Sequence, residues 1–376
     1  MRSLSVFSAA GVAAAPSSVK FSTLTLNDIP IHAAIFNIPA PAFDPLDEKN
    51  KTRVLIRVRD FSCNYRDQSL IFASTCREQA AYYVIGSEFS GDVVAVGPEV
   101  QEFSPGDRVL SDAAYGGNNL SGLCNSARGV PSNHSSAEYQ VFDQRYLAHM
   151  PHAMTYAQAA AFTIGAQTSY GMIRRLDPKP GSTALVTAGR SNTSLFTIAA
   201  LRRIGVRVYV ISGSEKHRDH IESLGVEKVY SPNLATPKFT NDEPLVETAR
   251  QLGGFDHIFD PFFDIYLSRV VILLRTGGSY ITCGLFNQYQ EALGLALPTV
   301  TSNYKEAMSQ VLMNNLRIQG NCLGSNEDLR RALQDFEAHP DMVPVDSVWS
   351  GDKVGEFLSR TYLSSDRFGK VVYQYD

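Results

Sequence analysis

The sequence predicts an α/β protein of two domains, one a β-barrel-like assembly of short strands and the other a doubly wound parallel sheet. Three observations carry this reading. Ser182 to Arg218 runs as strand, small-residue turn, helix and strand. Upstream of it lie many short β-type runs broken by Gly and Pro. At 376 residues, 44% hydrophobic and 19% charged, the chain is long and apolar enough to bury two separate cores.

Taken in order, residues 1–20 read as a flexible or loosely docked extension. They imitate a signal peptide only faintly, because Ser and Gly break the apolar run and one cation, Arg2, precedes it. Strands are expected at FSTLTL, IHAAIF and VLIRV, between Phe21 and Val58. Phe61 to Phe72 turns into a short helix. Alternating Val residues form a strand between turns at Gly91 and Gly97, and Pro105-Gly106-Asp107 turns tightly before Arg108-Val109-Leu110. Residues 111–134 are rich in Gly, Asn and Ser; a substrate lid and a long surface loop are both compatible with that composition.

The second domain begins on the βαβ stretch. Ala184 to Thr187 is a strand, Leu195, Phe196, Ile198, Ala199, Leu201 and Ile204 mark the apolar helix, Gly205 stops it, and Val206 to Ile211 is the second strand. In such a unit a pyrophosphate rests on N–H groups at the helix start. Ala188, Ser191 and Ser194 stand at the small positions of G-x-G-x-x-G, with Gly189 displaced by one. Ser191, Asn192, Thr193 and Ser194 can add hydroxyl or amide contacts to phosphate. On the turn alone, a plain strand-turn-helix with a polar cap remains open. The second strand ends in Ser212, Ser214, Glu215, Lys216 and Arg218 rather than in the carboxylate usual for a ribose 2′-hydroxyl. Hydroxyls and cations suit a 2′-phosphate, so NADPH is expected over NADH; a solvated helix start is the alternative for Lys216 and Arg218.

Further elements follow in alternation. Helices are expected at His217–Leu224, Val246–Leu252 and Leu267–Leu274, and strands at Gly225–Tyr230, Phe255–Phe259 and Ser279–Cys283. Residues 305–319 read as a helix and a return strand. A net charge of −4 with scattered basic residues argues against a nucleic-acid partner. No run reaches the roughly 18 to 20 apolar residues of a membrane span. Five widely spaced cysteines suggest a reduced, cytoplasmic setting.

The strings G-S-E-F-S-G-D-V-V-A-V-G and F-S-P-G-D-R-V resemble the GROES-like catalytic domain of medium-chain dehydrogenases/reductases. N-Y-R-D at Asn64 to Asp67 resembles the quinone-oxidoreductase and enoyl-reductase branch. A-E-Y (137–139), A-A-A-F (159–162), T-S-Y-G (168–171) and the closing G-K-V-V (369–372) continue the likeness across about residues 30 to 376. The resemblance implies a GROES-like β-barrel catalytic domain from both chain ends, 21–162 and 313–376, around a Rossmann cofactor domain, 163–312. It also implies that the loops holding Asp260 and Gly284 pass close to the nicotinamide, and that Asn321 to Gly324 closes over the cofactor. A homodimer through the edge of the cofactor sheet is common in that family.

Zinc separates the branches. Aligned with the C-x-T-D of alcohol dehydrogenases, N-Y-R-D puts Asn64 at the first ligand position. Ser87 replaces the His of G-H-E, and Ile164 falls where a later Cys belongs. A catalytic zinc needs three protein ligands, so no metal is expected. Cys124 alone represents the four cysteines of a structural zinc lobe, and Cys124 with His134 stays open as an unrelated site.

Without such a Lewis acid, the oxidation of a simple alcohol is disfavoured, and hydride delivery to an electron-poor C=C fits best. The substrate is then a small molecule or peptide bearing an enone, quinone, enoyl thioester or dehydroamino acid. Asn64 is a candidate for holding the nicotinamide or the substrate carbonyl. Tyr65 is a candidate proton donor, since related enoyl reductases use a Tyr in this neighbourhood, and Arg66 is a candidate for orienting it or meeting enolate charge. A packed Tyr65 with an Arg66–Asp67 pair, and a proton from water or the ribose 2′-hydroxyl, are the alternatives. A zinc-type alcohol dehydrogenase with unusual ligands and a non-catalytic NADPH-binding protein are the competing functions.

Overall fold

A computed structural model describes residues 1–114, 134–236, 238–240, 243–287 and 304–375. The chain divides into two units, Met1–Ile164 with Leu333–Asp376, and Gly165–Ala332. Most of the Gly/Asn/Ser-rich segment at 111–134, together with Cys124, lies outside the described residues.

The spine of the first unit is the strand Arg53–Ser62, whose alternation buries Val54, Ile56 and Val58 completely. It pairs antiparallel with Glu88–Val96, Tyr139–Asp143 and the C-terminal strand Lys370–Gln374. The last pairing places Val372 opposite Ser62 and so carries Gly369-Lys370 to the Asn64 loop. Gly91 lies inside Glu88–Val96 rather than at a turn. A Cβ there would stand 2.4 Å from the Arg57 carbonyl oxygen, so the strand pair closes only around glycine.

The N-terminal segment is not an extension. Arg2–Phe7 is an interior strand, paired with Ile29–Asn37 on one side and Tyr82–Val84 on the other, and Leu4 and Val6 are fully buried. Ser3 and Ser5 interrupt the apolar run without exposing it. Both are buried, bonded to each other at 3.0 Å, and Ser3 donates to the Phe36 carbonyl. Ser8 then caps the helix Ala9–Ala14 by accepting the Gly11 N–H.

Among the described residues the second unit holds a six-stranded, fully parallel sheet. Its order is Lys228–Tyr230, Arg207–Ile211, Thr183–Val186, Phe255–Asp260, Leu274–Thr282, Arg317–Gly320, which is 3-2-1-4-5-6 in chain order. Arg317–Gly320 extends the cofactor sheet beyond the expected boundary at 312, and the helix Asn326–Ala338 spans the division at 332/333. The expected helix at Leu267–Leu274 runs instead over Phe263–Val270, and Leu274 already begins the next strand. The register shifts between the Phe255–Leu274 and His257–Ser279 pairs, so that residues 275–278 face Asp256 alone. Among the described residues no helix is long and apolar enough to cross a membrane.

Candidate active site

In the second unit the sheet order reverses between Thr183–Val186 and Phe255–Asp260, and their carboxyl ends form the crevice where ligands of such sheets bind. Ser191 caps the helix Asn192–Arg203: its hydroxyl accepts the Ser194 N–H at 3.1 Å and donates to the Ser194 hydroxyl, which in turn donates to the Thr187 carbonyl at 2.7 Å. Ala188 carries φ 48°, a conformation usually left to glycine. Gly189 is required by contact, since a Cβ would meet Val210 Cγ1 at 2.3 Å. Its N–H donates to the Ile211 carbonyl at 2.8 Å, which draws the turn onto the neighbouring strand. A bare backbone at Gly189 and an N-capped helix start at the crevice fit a dinucleotide pyrophosphate.

Asp260 joins three adjacent strand ends. Its carboxylate accepts the Thr187 hydroxyl at 2.5 Å, the Tyr280 hydroxyl and the Phe262 N–H at 2.9 Å. Burial pushes its pKa up to about 6, with the hydroxyl donors pulling the other way. Gly284 packs against the loop after Asp260, where a Cβ would lie 2.7 Å from the Pro261 carbonyl oxygen. At the end of Arg207–Ile211, Ser212 is buried and donates to the Ser214 carbonyl, and Ser214 accepts the Lys216 N–H. Arg218 spans Glu215 (2.7 Å), Glu222 (3.4 Å) and the Val229 carbonyl, so part of its charge is already met.

In the first unit, N-Y-R-D lies at the end of Arg53–Ser62, where a tight turn starts the helix Asp67–Thr75. Asp67, almost fully buried, accepts the Asn64 N–H at 2.7 Å and the Ser87 hydroxyl at 2.6 Å, and pairs with Arg66 at 2.9 Å. Burial raises its pKa, against the pull of Arg66. The Asn64 side chain is held at both ends. Its Nδ2 donates to Ser87 (2.9 Å) and Glu88 (3.0 Å), and its Oδ1 accepts from the Lys370 ammonium. Lys370 and Glu88 form a buried ion pair at 2.6 Å. Glu88 also accepts the Ser62 hydroxyl (3.1 Å) and the Ile164 N–H (2.9 Å). The three positions compared with zinc ligands are therefore tied to two carboxylates and one ammonium: Asn64 and Ile164 to Glu88, Asn64 to Lys370, and Asn64 and Ser87 to Asp67. Among the described residues no three His, Cys, Asp or Glu side chains group as a metal site requires.

Tyr65 is half-buried, edge-on to Tyr362 (6.4 Å between centroids) and under the Arg367 guanidinium (5.3 Å). The Tyr362 hydroxyl donates to the Asn64 carbonyl at 3.3 Å. Sequence reasoning assigned no role to Lys370 or Glu88. The available signal was a Lys and a Glu each set in apolar, strand-forming text, GKVVY and SEF, an arrangement that burial tolerates only as a pair.

Comparison with known proteins agrees with this architecture. Residues 50–152 match the alcohol dehydrogenase GroES-like domain and residues 193–338 the zinc-binding dehydrogenase domain. The chain belongs to the medium-chain dehydrogenase/reductase superfamily, and is an oxidoreductase of a family that binds a nicotinamide cofactor. It is 25% identical over 341 residues to a zinc-type alcohol dehydrogenase-like protein of Schizosaccharomyces pombe, covering 87% of this chain and 92% of that protein. It is 27% identical over 250 residues to a mycocerosic acid synthase-like polyketide synthase of Mycobacterium tuberculosis, covering 65% of this chain but only 10% of that protein. Among solved structures, an NAD-dependent alcohol dehydrogenase superposes with TM-score 0.71 at 24% identity, covering 91% of this chain and 95% of that one. The quinone oxidoreductase from Coxiella burnetii superposes with TM-score 0.67 at 16% identity, covering 98% and 99%.

Proposed function

We propose that the protein is an NADPH-dependent reductase of an activated C=C, working without zinc on an enone, quinone, enoyl thioester or dehydroamino acid. The observation that carries this is the Asn64–Ser87–Glu88–Lys370 cluster. Its donors at the metal positions are an amide and a hydroxyl, the third position offers only an aliphatic side chain, and the two carboxylates there are already paired, Glu88 with the buried Lys370 ammonium and Asp67 with Arg66. A cation added beside Lys370 meets repulsion in place of thiolate or imidazole ligands. The S. pombe relative described as zinc-type covers nearly the whole chain, but its description does not supply the ligands missing here.

In this reading Ala188, Gly189, Ser191, Asn192, Thr193 and Ser194 receive the pyrophosphate. Ser212, Ser214, Lys216 and Arg218 receive the 2′-phosphate, and the loops of Asp260 and Gly284 border the nicotinamide. The reduced cofactor, when bound, supplies hydride to the β-carbon. Tyr65 gives a proton to the α-carbon, so the C=C gains both atoms and the carbonyl is restored. Arg66, fixed by Asp67, orients that loop and faces the developing enolate charge. Asn64 acts through its bonds to Ser87, Glu88 and Lys370, which hold the backbone on which Tyr65 sits.

The test is NADPH consumption with a quinone, a simple enone, an enoyl thioester and a dehydroalanine peptide, each with and without a chelator. Turnover that survives the chelator is expected. Turnover of simple alcohols with stoichiometric zinc would favour the alcohol dehydrogenase reading instead. Saturable NADPH binding without oxidation by any acceptor would favour a non-catalytic binding protein.

A further inference from the structure

A second cavity lies in the cofactor domain, at the amino-terminal ends of Phe255–Asp260 and Leu274–Thr282. Gly254 and Leu274 line it, whereas Asp260 and Gly284 stand at the opposite ends of those strands. Six residues at about 3.3 Å each separate the two places by roughly 20 Å. Its volume is about 300 Å³, at the lower end of the range for small-molecule sites. Phe239, Val246, Ala249, Leu273 and Ala307 give it apolar walls.

The charges around it do not balance. Among the described residues, Lys238, Arg250 and Arg269 line the cavity against a single carboxylate, Glu306. Lys238 is paired with Glu306, and Arg250 with Glu247. Arg269 is only 2% exposed and has no carboxylate partner among the described residues. Its guanidinium donates to the carbonyls of Thr236 and Leu234, each at 2.9 Å, and of Ile265. Carbonyl dipoles solvate the charge without cancelling it, and burial lowers its pKa. The adjacent Ser268 also lines the cavity, and its buried hydroxyl has no hydrogen-bond partner among the described residues. An uncancelled cation and an unsatisfied hydroxyl beside an apolar hollow are the complement of an acid with a hydrocarbon body.

We propose that this cavity binds a small monocarboxylate with an apolar body, such as a medium-chain fatty acid, its carboxylate received by Arg269 and Ser268. The site is separate from the cofactor crevice and does not depend on which substrate the enzyme reduces.

The test is calorimetric titration of the full chain, saturated with NADPH, with octanoate, octanol and octylamine. Octanoate is expected to bind with 1:1 stoichiometry and octanol at least tenfold more weakly, with no binding of octylamine. Ser268→Ala removes one neutral donor and is expected to weaken octanoate about fivefold. It also deletes an unsatisfied buried hydroxyl, so the variant should fold at least as stably. Ile272→Trp, at an exposed position of the rim, is expected to abolish binding by obstructing the mouth. Absence of octanoate binding would overturn the proposal. So would octanol binding as tightly as octanoate, or affinity unchanged in both variants, which would put the acid elsewhere.

Discussion

The Lys370 ammonium lies 2.6 Å from a Glu88 carboxylate oxygen, with the two side chains 5% and 0% exposed. Two strands far apart in sequence are tied at the point where the N-Y-R-D loop begins. Removing one partner leaves the other charge buried and uncompensated. Lys370→Met is expected to cost about 3–5 kcal/mol in denaturant unfolding, and the double variant Lys370→Met with Glu88→Leu to recover part of it. A single-variant loss below about 1 kcal/mol would show that water reaches the pair.

Tyr65→Phe removes the proposed proton donor while keeping the ring against Tyr362 and under Arg367. If Tyr65 protonates the α-carbon, kcat should fall about 100-fold, with the KM for NADPH unchanged. A solvent deuterium isotope effect should also shift between the two enzymes. Unchanged kcat would return the step to water or the ribose 2′-hydroxyl.

The parallel sheet was legible because apolar runs with Gly and Pro punctuation identify buried strands and helices over short spans. The turn at Ala188 to Ser194 was legible because its small residues are a local requirement. What escaped was non-local or disguised. Arg2–Phe7 is interior because strands pair on both sides of it, and its buried Ser3 and Ser5 are satisfied by each other and by the Phe36 carbonyl, which no local pattern announces. The Asn64 amide was expected to face a ligand, yet Lys370, about 300 positions later, holds its oxygen. Only the pairing of Val372 with Ser62 brings those residues together. Arg218 seemed available for phosphate, but the fold of its own loop sets it against Glu215.

Cofactor choice is tested at that loop. Lys216→Glu is expected to lower kcat/KM for NADPH by about 10- to 100-fold, the worth of one charge-assisted hydrogen bond, while leaving NADH within about twofold. Glu215→Gln should act in the opposite sense by releasing Arg218, raising NADPH affinity a few-fold with a stronger dependence on salt. Equal effects on the two cofactors would remove the 2′-phosphate from this site.

Asp60 predicts a pH dependence of stability. The residue is fully buried on Arg53–Ser62; its Oδ1 accepts a weak bond from Gln374 at 3.3 Å, and its Oδ2 has no hydrogen-bond partner among the described residues. Burial raises its pKa to about 7 from 3.8, so the folded protein holds a proton that the unfolded chain releases. Within that window the native state binds more protons than the unfolded state, and stability falls as pH rises. The contribution is fully lost only above about pH 7, and is on the order of 4 kcal/mol. Asp60→Asn keeps an acceptor for Gln374 and abolishes the titration. Its unfolding free energy should therefore be flatter than that of the wild type between pH 5 and 8 and should exceed it at pH 8. Parallel pH profiles for the two proteins would show that Asp60 is ionised throughout and solvated by water.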